Sequence, residues 1–163
     1  MKIWHVKKTL HIVFVSSLTV LLLSLLAPGC TDDDDDDDPG TDQNSAFVVT
    51  TDFSTGSFTT VTLDEPRTAS ENLGDICSDA IVRYFNGLIY IVGRYGCDSI
   101  QVLDPKNNFD LVSEYSVGAG TNPQDIAVVD PDKAYVSRMM SNELLIINPE
   151  TGERRGAIDL SAY

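Results

Sequence analysis

An all-β fold is predicted by three features of this 163-residue chain. From Ala46 onward, short runs rich in β-branched and aromatic residues alternate with Gly, Pro, Asn and Asp turn signals. No apolar spacing of helical period is sustained over the same stretch. The third feature is an internal echo: residues 124–152, QDIAVVDPDKAYVSRMMSNELLIINPETG, repeat in outline residues 78–107, SDAIVRYFNGLIYIVGRYGCDSIQVLDPKN, at an offset of 44 to 46. Asp79 matches Asp125, Tyr90 matches Tyr135, Arg94 matches Arg138, Ile100 matches Leu144, and Asp104-Pro105 matches Asn148-Pro149. A period of that size filled with short strands marks a propeller or solenoid array.

The strands follow in order from pattern and punctuation. In the second unit, about residues 78–120, the apolar runs predict strands at 80–84, 88–92, 99–103 and 111–116, with Asn86-Gly87 as a tight hairpin turn. In the third, about 124–163, they fall at 126–129, 133–137, 143–147 and 154–158. There Asn148-Pro149-Glu150-Thr151-Gly152 fits a type I turn followed by a glycine at positive φ. Four strands per unit is the arithmetic of a propeller blade. The first unit, about 46–75, differs: residues 46–63 align with the second and third strands of later units, a weak fourth strand follows near 68–73, and the innermost strand is missing. The expectation is a partial β-propeller of roughly two and a half to three four-stranded antiparallel blades. Closed rings take about four to eight blades, so the array reads as a fragment of a longer one. The rival arrangement is an open stack or small sandwich of the same eleven strands.

Ahead of the repeats stands a leader. Lys2, Lys7 and Lys8 precede an apolar stretch at residues 10–27, closed by Ala27-Pro28-Gly29-Cys30. That order is the charged, apolar and small-residue sequence of an export signal, here residues 1–29. An uncleaved spanning anchor is the alternative, since the stretch is near the roughly 18-residue lower limit for a span. His11, Ser16, Ser17, Thr19 and Ser24 dilute its apolar character, and Pro28-Gly29 ends a helix where a peptidase needs extended chain. LLAPGC resembles the lipobox of bacterial lipoproteins, with Leu26 four residues before the cysteine rather than three. The resemblance implies that Cys30 carries diacylglycerol and that the membrane is a partner through that lipid, with no spanning helix required.

Residues 31–45, TDDDDDDDPGTDQNS, contain no apolar side chain. Such a segment has nothing to bury and repels itself, so residues 30–45 are expected to form a disordered acidic tether behind the lipidated cysteine. Calcium binding is the competing use, but an Asp run lacks the backbone oxygens and turn glycine of a dedicated calcium loop. Acidic residues just after a lipidated cysteine resemble the surface-export signals of some bacterial lipoproteins. They imply a place in the cell envelope, on the outer membrane and exposed at the surface.

Composition removes several function classes. Setting aside the three leader lysines takes the formal charge from −14 to −17, and setting aside residues 32–38 as well leaves about −10. Nucleic-acid binding is disfavoured, because phosphate neutralisation needs clustered Lys and Arg. His5, His11 and Trp4 all lie in the leader, so the chain beyond it has neither His nor Trp. A His general base, a Ser-His-Asp triad and His-ligated zinc are thereby excluded within these residues. No metal site and no cofactor are expected.

Asp79 and Asp125 open the innermost strands and Arg94 and Arg138 close the second strands, which puts all four at one rim of a propeller. A ligand rim of alternating carboxylates and guanidiniums is the functional reading. Repetition at fixed blade positions favours scaffold, because a site usually breaks symmetry. With Cys30 assigned to lipid, Cys77 and Cys97 remain as an even pair in an oxidising compartment, and a disulfide is expected. A zinc site would need two further ligands. Gly118-Ala119-Gly120 lacks the third glycine and following helix of a phosphate loop and reads as the turn between blades.

Asn122-Pro123-Gln124-Asp125, Lys133-Ala134-Tyr135-Val136, Ser141-Asn142 and Asn148-Pro149-Glu150-Thr151-Gly152 resemble the YVTN-type β-propeller repeats of bacterial surface and periplasmic proteins. The resemblance covers about residues 46–163 and departs from the pattern in the second unit at Leu88-Ile89-Tyr90-Ile91 and Gly96-Cys97-Asp98. It implies a binding or scaffolding domain for an unknown protein, glycan or small-molecule ligand. The alternative it allows is a fragment of a lactonase-like or quinoprotein-like propeller enzyme whose catalytic residues lie outside this chain. No catalytic residue carries over, because propellers of this type serve many functions.

Overall fold

The computed structural model of the protein describes residues 44–163; the expected leader, Cys30 and all but the last two residues of the expected tether lie outside them. Three antiparallel meanders follow one another along the described residues. The first joins β1 (Ser45–Thr51), β2 (Gly56–Thr62) and β3 (Ala69–Ile76). The second joins β4 (Ala80–Phe85), β5 (Leu88–Gly93), β6 (Ser99–Asp104) and β7 (Asp110–Ser116). The third joins β8 (Pro123–Asp130), β9 (Lys133–Arg138), β10 (Glu143–Ile147) and β11 (Arg154–Asp159). Each sheet is one blade, and the first lacks the inner strand that β4 and β8 supply to the others. The fold is all-β, a partial β-propeller. Among the described residues no helix is long and apolar enough to cross a membrane.

Most strands run one residue beyond the expected bounds, and β3 continues to Ile76 rather than ending near residue 73. β1 starts at Ser45, and the carbonyl of Asn44 accepts from Leu63 N at 2.7 Å, so pairing begins just ahead of the expected start at Ala46. β8 starts at Pro123 rather than at Ile126, because the chain stays paired through a bulge between Pro123 and Asp125. That bulge places Asp125 opposite Ser137.

The sheets pack face to face through two apolar layers. In β5, alternation sends Ile89 and Ile91 to one face and Tyr90 and Val92 to the other, and both faces are covered. A strand buried on both sides needs apolar residues at every position, which is why β5 reads LIYIVG without polar alternation. Between the first and second sheets lie Phe58, Ile89, Ile91 and Leu103. The Phe47 and Phe58 rings stack there at 5.0 Å, with Phe109 closing the cluster at 5.6 and 5.8 Å. Between the second and third lie Tyr90, Val92, Ile100 and Val102 against Ile126, Ala134, Val136 and Leu145. Each large aliphatic side chain fully buried in these layers contributes about 1.5 to 3 kcal/mol.

The third sheet repeats on its outward face the pattern that the second sheet buries. Tyr135 pairs with Ile146, and Leu144 with Ile158, as Tyr90 pairs with Val102 and Ile100 with Tyr115. On the second sheet these residues are covered by the third blade; on the third sheet Ile158 stays 44% exposed.

Turn chemistry sets the hairpins. Asn86 and Gly87 both take positive φ, 48° and 83°, as a two-residue hairpin that matches strand twist requires. The Asn148 side chain accepts from Glu150 N at 3.0 Å and Thr151 N at 2.9 Å, and Gly152 N returns to the Asn148 carbonyl at 2.9 Å. In the β1–β2 turn, Asp52 accepts from Thr55 N at 2.6 Å and Ser54 N at 2.8 Å. Those backbone donors, with the Ser54 hydroxyl, hold its carboxyl well below the usual carboxylate range. The turn therefore keeps its charged cap until the pH falls below that range.

Candidate functional site

The residues at the blade junctions and the rim divide into three groups with different jobs. The first is the set of repeated charges. Arg94 donates to Asp79 Oδ1 from Nε at 2.8 Å and from Nη2 at 2.5 Å, and Arg94 N bonds the Asp79 carbonyl at 2.7 Å. This pair closes the open end of β4 and β5. Asp125 makes no such pair with Arg138. Its Oδ2 accepts from Arg83 Nη2 at 2.8 Å, across the junction between the second and third sheets. Arg138 donates from Nη1 to the Val117 carbonyl at 3.0 Å and from Nη2 to Glu143 Oε2 at 3.3 Å, an oxygen that Arg154 Nη2 also approaches at 3.1 Å.

Register explains the divergence. Ala80 pairs with Gly93 in the second sheet, and Pro123 pairs with Arg138 in the third, so Arg138 occupies the place of Gly93 and not that of Arg94. Asp125, beyond the bulge, pairs with Ser137 as Ile81 pairs with Val92. A slip of one residue turns a side chain to the other face of its strand. The sequence match of Asp79 with Asp125 and of Arg94 with Arg138 thus brings together Asp79 and Arg94 only. The half-exposed pairs contribute at most about 1 kcal/mol each. Arg138 is different, with its side chain only 7% exposed.

The second group staples the blades. Cys77, just past β3, and Cys97, in the β5–β6 loop, form a disulfide across 20 residues with Cα atoms 6.2 Å apart. It ties the end of the first sheet to the top of the second. Gly93 lies directly beneath: a Cβ there would stand 3.0 Å from Cys97 Cβ and 3.1 Å from Cys77 Cβ. At the next junction the Arg138 side chain extends from the equivalent position and reaches the linker at Val117. Asp98, buried in the β5–β6 loop, holds the same linker, accepting from Gly120 N and Asn122 N at 2.7 Å each. Its own carbonyl accepts from Val117 N at 3.0 Å. Gly118-Ala119-Gly120 is accordingly the turn between blades, draped over Asp98 and Arg138.

Tyr115 completes the staples at the outer edge. Its hydroxyl donates to the Pro149 carbonyl at 2.5 Å, and its ring lies against Gly152 of the third blade. Burial, with the nearby Tyr90, pushes the Tyr115 phenol above its ordinary value of 10.0. Burial, with Glu150, pushes Tyr90 in the same direction. A folded pKa raised above the unfolded one contributes stability that is present below pH about 10 and is lost as pH rises through the folded value. Replacing Tyr115 with Phe is expected to cost about 1 kcal/mol near neutral pH and to flatten the decline above pH about 10. Urea denaturation at pH 8 and pH 11 checks this; equal slopes with pH for both proteins would remove Tyr115 as the cause.

The third group lines a cleft of about 270 Å³ beside the disulfide, on the face of the second sheet that turns toward the first. Ile91, Ser99, Gln101 and Glu114 form its wall with Cys77 and Cys97. Ser99 Oγ donates to Glu114 Oε1 at 3.4 Å. Among the described residues no group of three or more His, Cys, Asp or Glu side chains gathers to hold a metal ion.

Sequence reasoning singled out the cysteines and the repeated charges but not Arg83, Asp98, Tyr115, Gln101 or Glu114. Gln101 and Glu114 sit at alternate positions of their strands, like many solvent-facing residues, and nothing local distinguishes them. Asp98 carried a usable signal: it follows the cysteine in a hairpin where the matching repeat has Ser141-Asn142.

No protein-family model matches the chain, and no curated protein matches it. Among solved structures, it is similar to the crystal structure of Myxococcus xanthus glutaminyl cyclase. That similarity has a TM-score of 0.46 and 21% sequence identity over 75% of this chain. The chain spans about half the length of that protein, 51%. The blade assignment above rests on strand order and register, and the likeness adds nothing to it about activity.

Proposed function

We propose that this chain is a cell-envelope lipoprotein, anchored through Cys30, whose β-propeller domain binds or scaffolds a partner while the acidic segment holds it off the membrane. The Cys77–Cys97 disulfide carries the reading. Bridges of this kind persist where the surroundings are oxidising, which in bacteria means outside the cytoplasm. The leader supports it independently: its three lysines, apolar stretch and LLAPGC ending supply both the export route and the acyl-acceptor thiol. Binding is favoured over catalysis because the rim charges are committed to one another and to the blade junctions. An outer-membrane, surface-exposed position follows the resemblance of the acidic run to surface-export signals.

Replacing Cys30 with Ser is expected to move the protein from the membrane fraction to the soluble fraction and to abolish incorporation of labelled palmitate. Undiminished membrane association of that variant would sink the lipoprotein reading. Protease added to intact cells tests the exposed position, with digestion expected and protection counting against it.

A further inference from the structure

We propose that the cleft beside the disulfide is a binding site for a primary ammonium group carried on a short apolar stem. This names a ligand class for the domain; it rests on reading the domain as a binding module, and not on the Cys30 anchor. Gln101 pairs with Ile91 on one side and with Glu114 on the other, so the three side chains stand in one row across the sheet. Ser99, two residues before Gln101 on β6, shares their face and points into the same cleft.

Ser99, Gln101 and Glu114 each offer an acceptor, and the Gln101 carboxamide carries two N–H donors as well. An ionised carboxylate accepts and does not donate, a carboxamide oxygen accepts, and a serine hydroxyl keeps lone pairs after donating its proton. Ser99 has already given its proton toward Glu114 at 3.4 Å. The Gln101 carboxamide has no hydrogen-bond partner among the described residues, and no cationic side chain lines the cleft. An alkylammonium has three donors and no acceptor, which matches three acceptor oxygens from Glu114, Gln101 and Ser99. It also supplies a counter-charge for Glu114. A hydroxyl brings one proton and no charge, and a carboxylate ligand would be repelled.

The remaining wall suits a stem. Ile91 is 1% exposed and forms the floor, with the bridged sulfurs of Cys77 and Cys97 beside it. A cleft of about 270 Å³ lies just below the usual range of small-molecule sites, roughly 300 to 1,000 Å³, and fits a stem of a few carbons. Cys77 and Cys97 line the cleft, so its wall depends on the same bond that joins the first two blades.

The test uses n-butylammonium chloride as probe and n-butanol as its neutral counterpart, titrated into the full chain and followed by amide NMR shifts. Saturable shifts centred on Ser99, Gln101 and Glu114 are expected, with n-butanol weaker by about tenfold, the size of one charge-assisted hydrogen bond. Glu114→Gln, at an exposed side chain, is expected to weaken butylammonium by a similar factor while leaving n-butanol unchanged. Gln101→Met provides a second variant with the same direction of effect. Shifts that never saturate and scatter over the acidic surface, or undiminished affinity in both variants, would overturn the proposal. Such a result would leave the membrane fractionation of the Cys30→Ser variant untouched, so the two readings fail separately.

Discussion

Replacing Cys77 and Cys97 together with Ser is expected to lower the stability of the folded domain by about 3 kcal/mol. The bridge closes a loop with a sequence separation of 20, and in the chain-entropy account a loop of that length restricts the unfolded ensemble by this amount. The native side adds to the loss. First and second sheets meet through the small aromatic cluster of Phe47, Phe58 and Phe109 and few other large buried side chains, whereas the second junction has a continuous aliphatic layer. The covalent tie therefore sits at the weaker junction. Urea denaturation of the double variant, and of the wild type with and without reductant, measures it. A change below about 0.5 kcal/mol, within the scatter of surface substitutions, would show that the first blade is held without the bridge. Amide exchange should place the loss in β1 to β3, which would open before the second and third sheets.

The second large effect is expected from Gly152→Ala. Gly152 has φ +74°, a conformation that a residue with a Cβ adopts only with strain. A Cβ there would also collide with the Tyr115 ring, which belongs to the neighbouring blade. Strain of about 1 kcal/mol from the backbone and about 1 to 3 kcal/mol from overpacking combine to about 2 to 4 kcal/mol. The two parts separate in a double-mutant cycle with Tyr115→Ala. In that background Gly152→Ala should cost only the backbone part, and additivity of the two substitutions would mean that the ring contact carries no energy. The result would also test whether the turn after β10 is a junction element rather than a free loop.

Much of the fold was legible because its causes are local. Asn86-Gly87 could only be a tight turn between two apolar runs, and LIYIVG could only be a strand, given its length and flanking turn residues. The Asn148 to Gly152 turn was readable for the same reason: each residue type there satisfies its own backbone. The missing inner strand of the first blade was legible as well, since residues 46–63 align with the second and third strands of the later units. The cysteine pair was legible from its even count once Cys30 is set aside.

The rim was only partly legible. Matching Arg94 with Arg138 treats the repeat as if residue number were register, but Arg94 lies four residues past Tyr90 and Arg138 only three past Tyr135, while the bulge between Pro123 and Asp125 displaces Asp125 in the inner strand. The repeat alignment has no term for which face a side chain takes. Arg94 consequently pairs with Asp79 at the open end of its blade, while Arg138 turns inward beneath the linker. The cleft was illegible for a related reason: Ser99, Gln101 and Glu114 come from two strands, and only the pairing of β6 with β7 puts them in one row.

What the amino-acid sequence determined by itself is the list of strands, their grouping into three units and the kinds of turn that join them. Those follow from alternation with period two and from residues whose own backbone preferences end a strand. What only the tertiary structure decided is which side chains meet: the Arg83–Asp125 pair, the Asp98 clamp on the linker, the Tyr115 contact with Gly152, and the acceptor row of the cleft. Such meetings depend on strand register and on the packing of one sheet over the next, and both are settled by contacts between residues far apart in the chain.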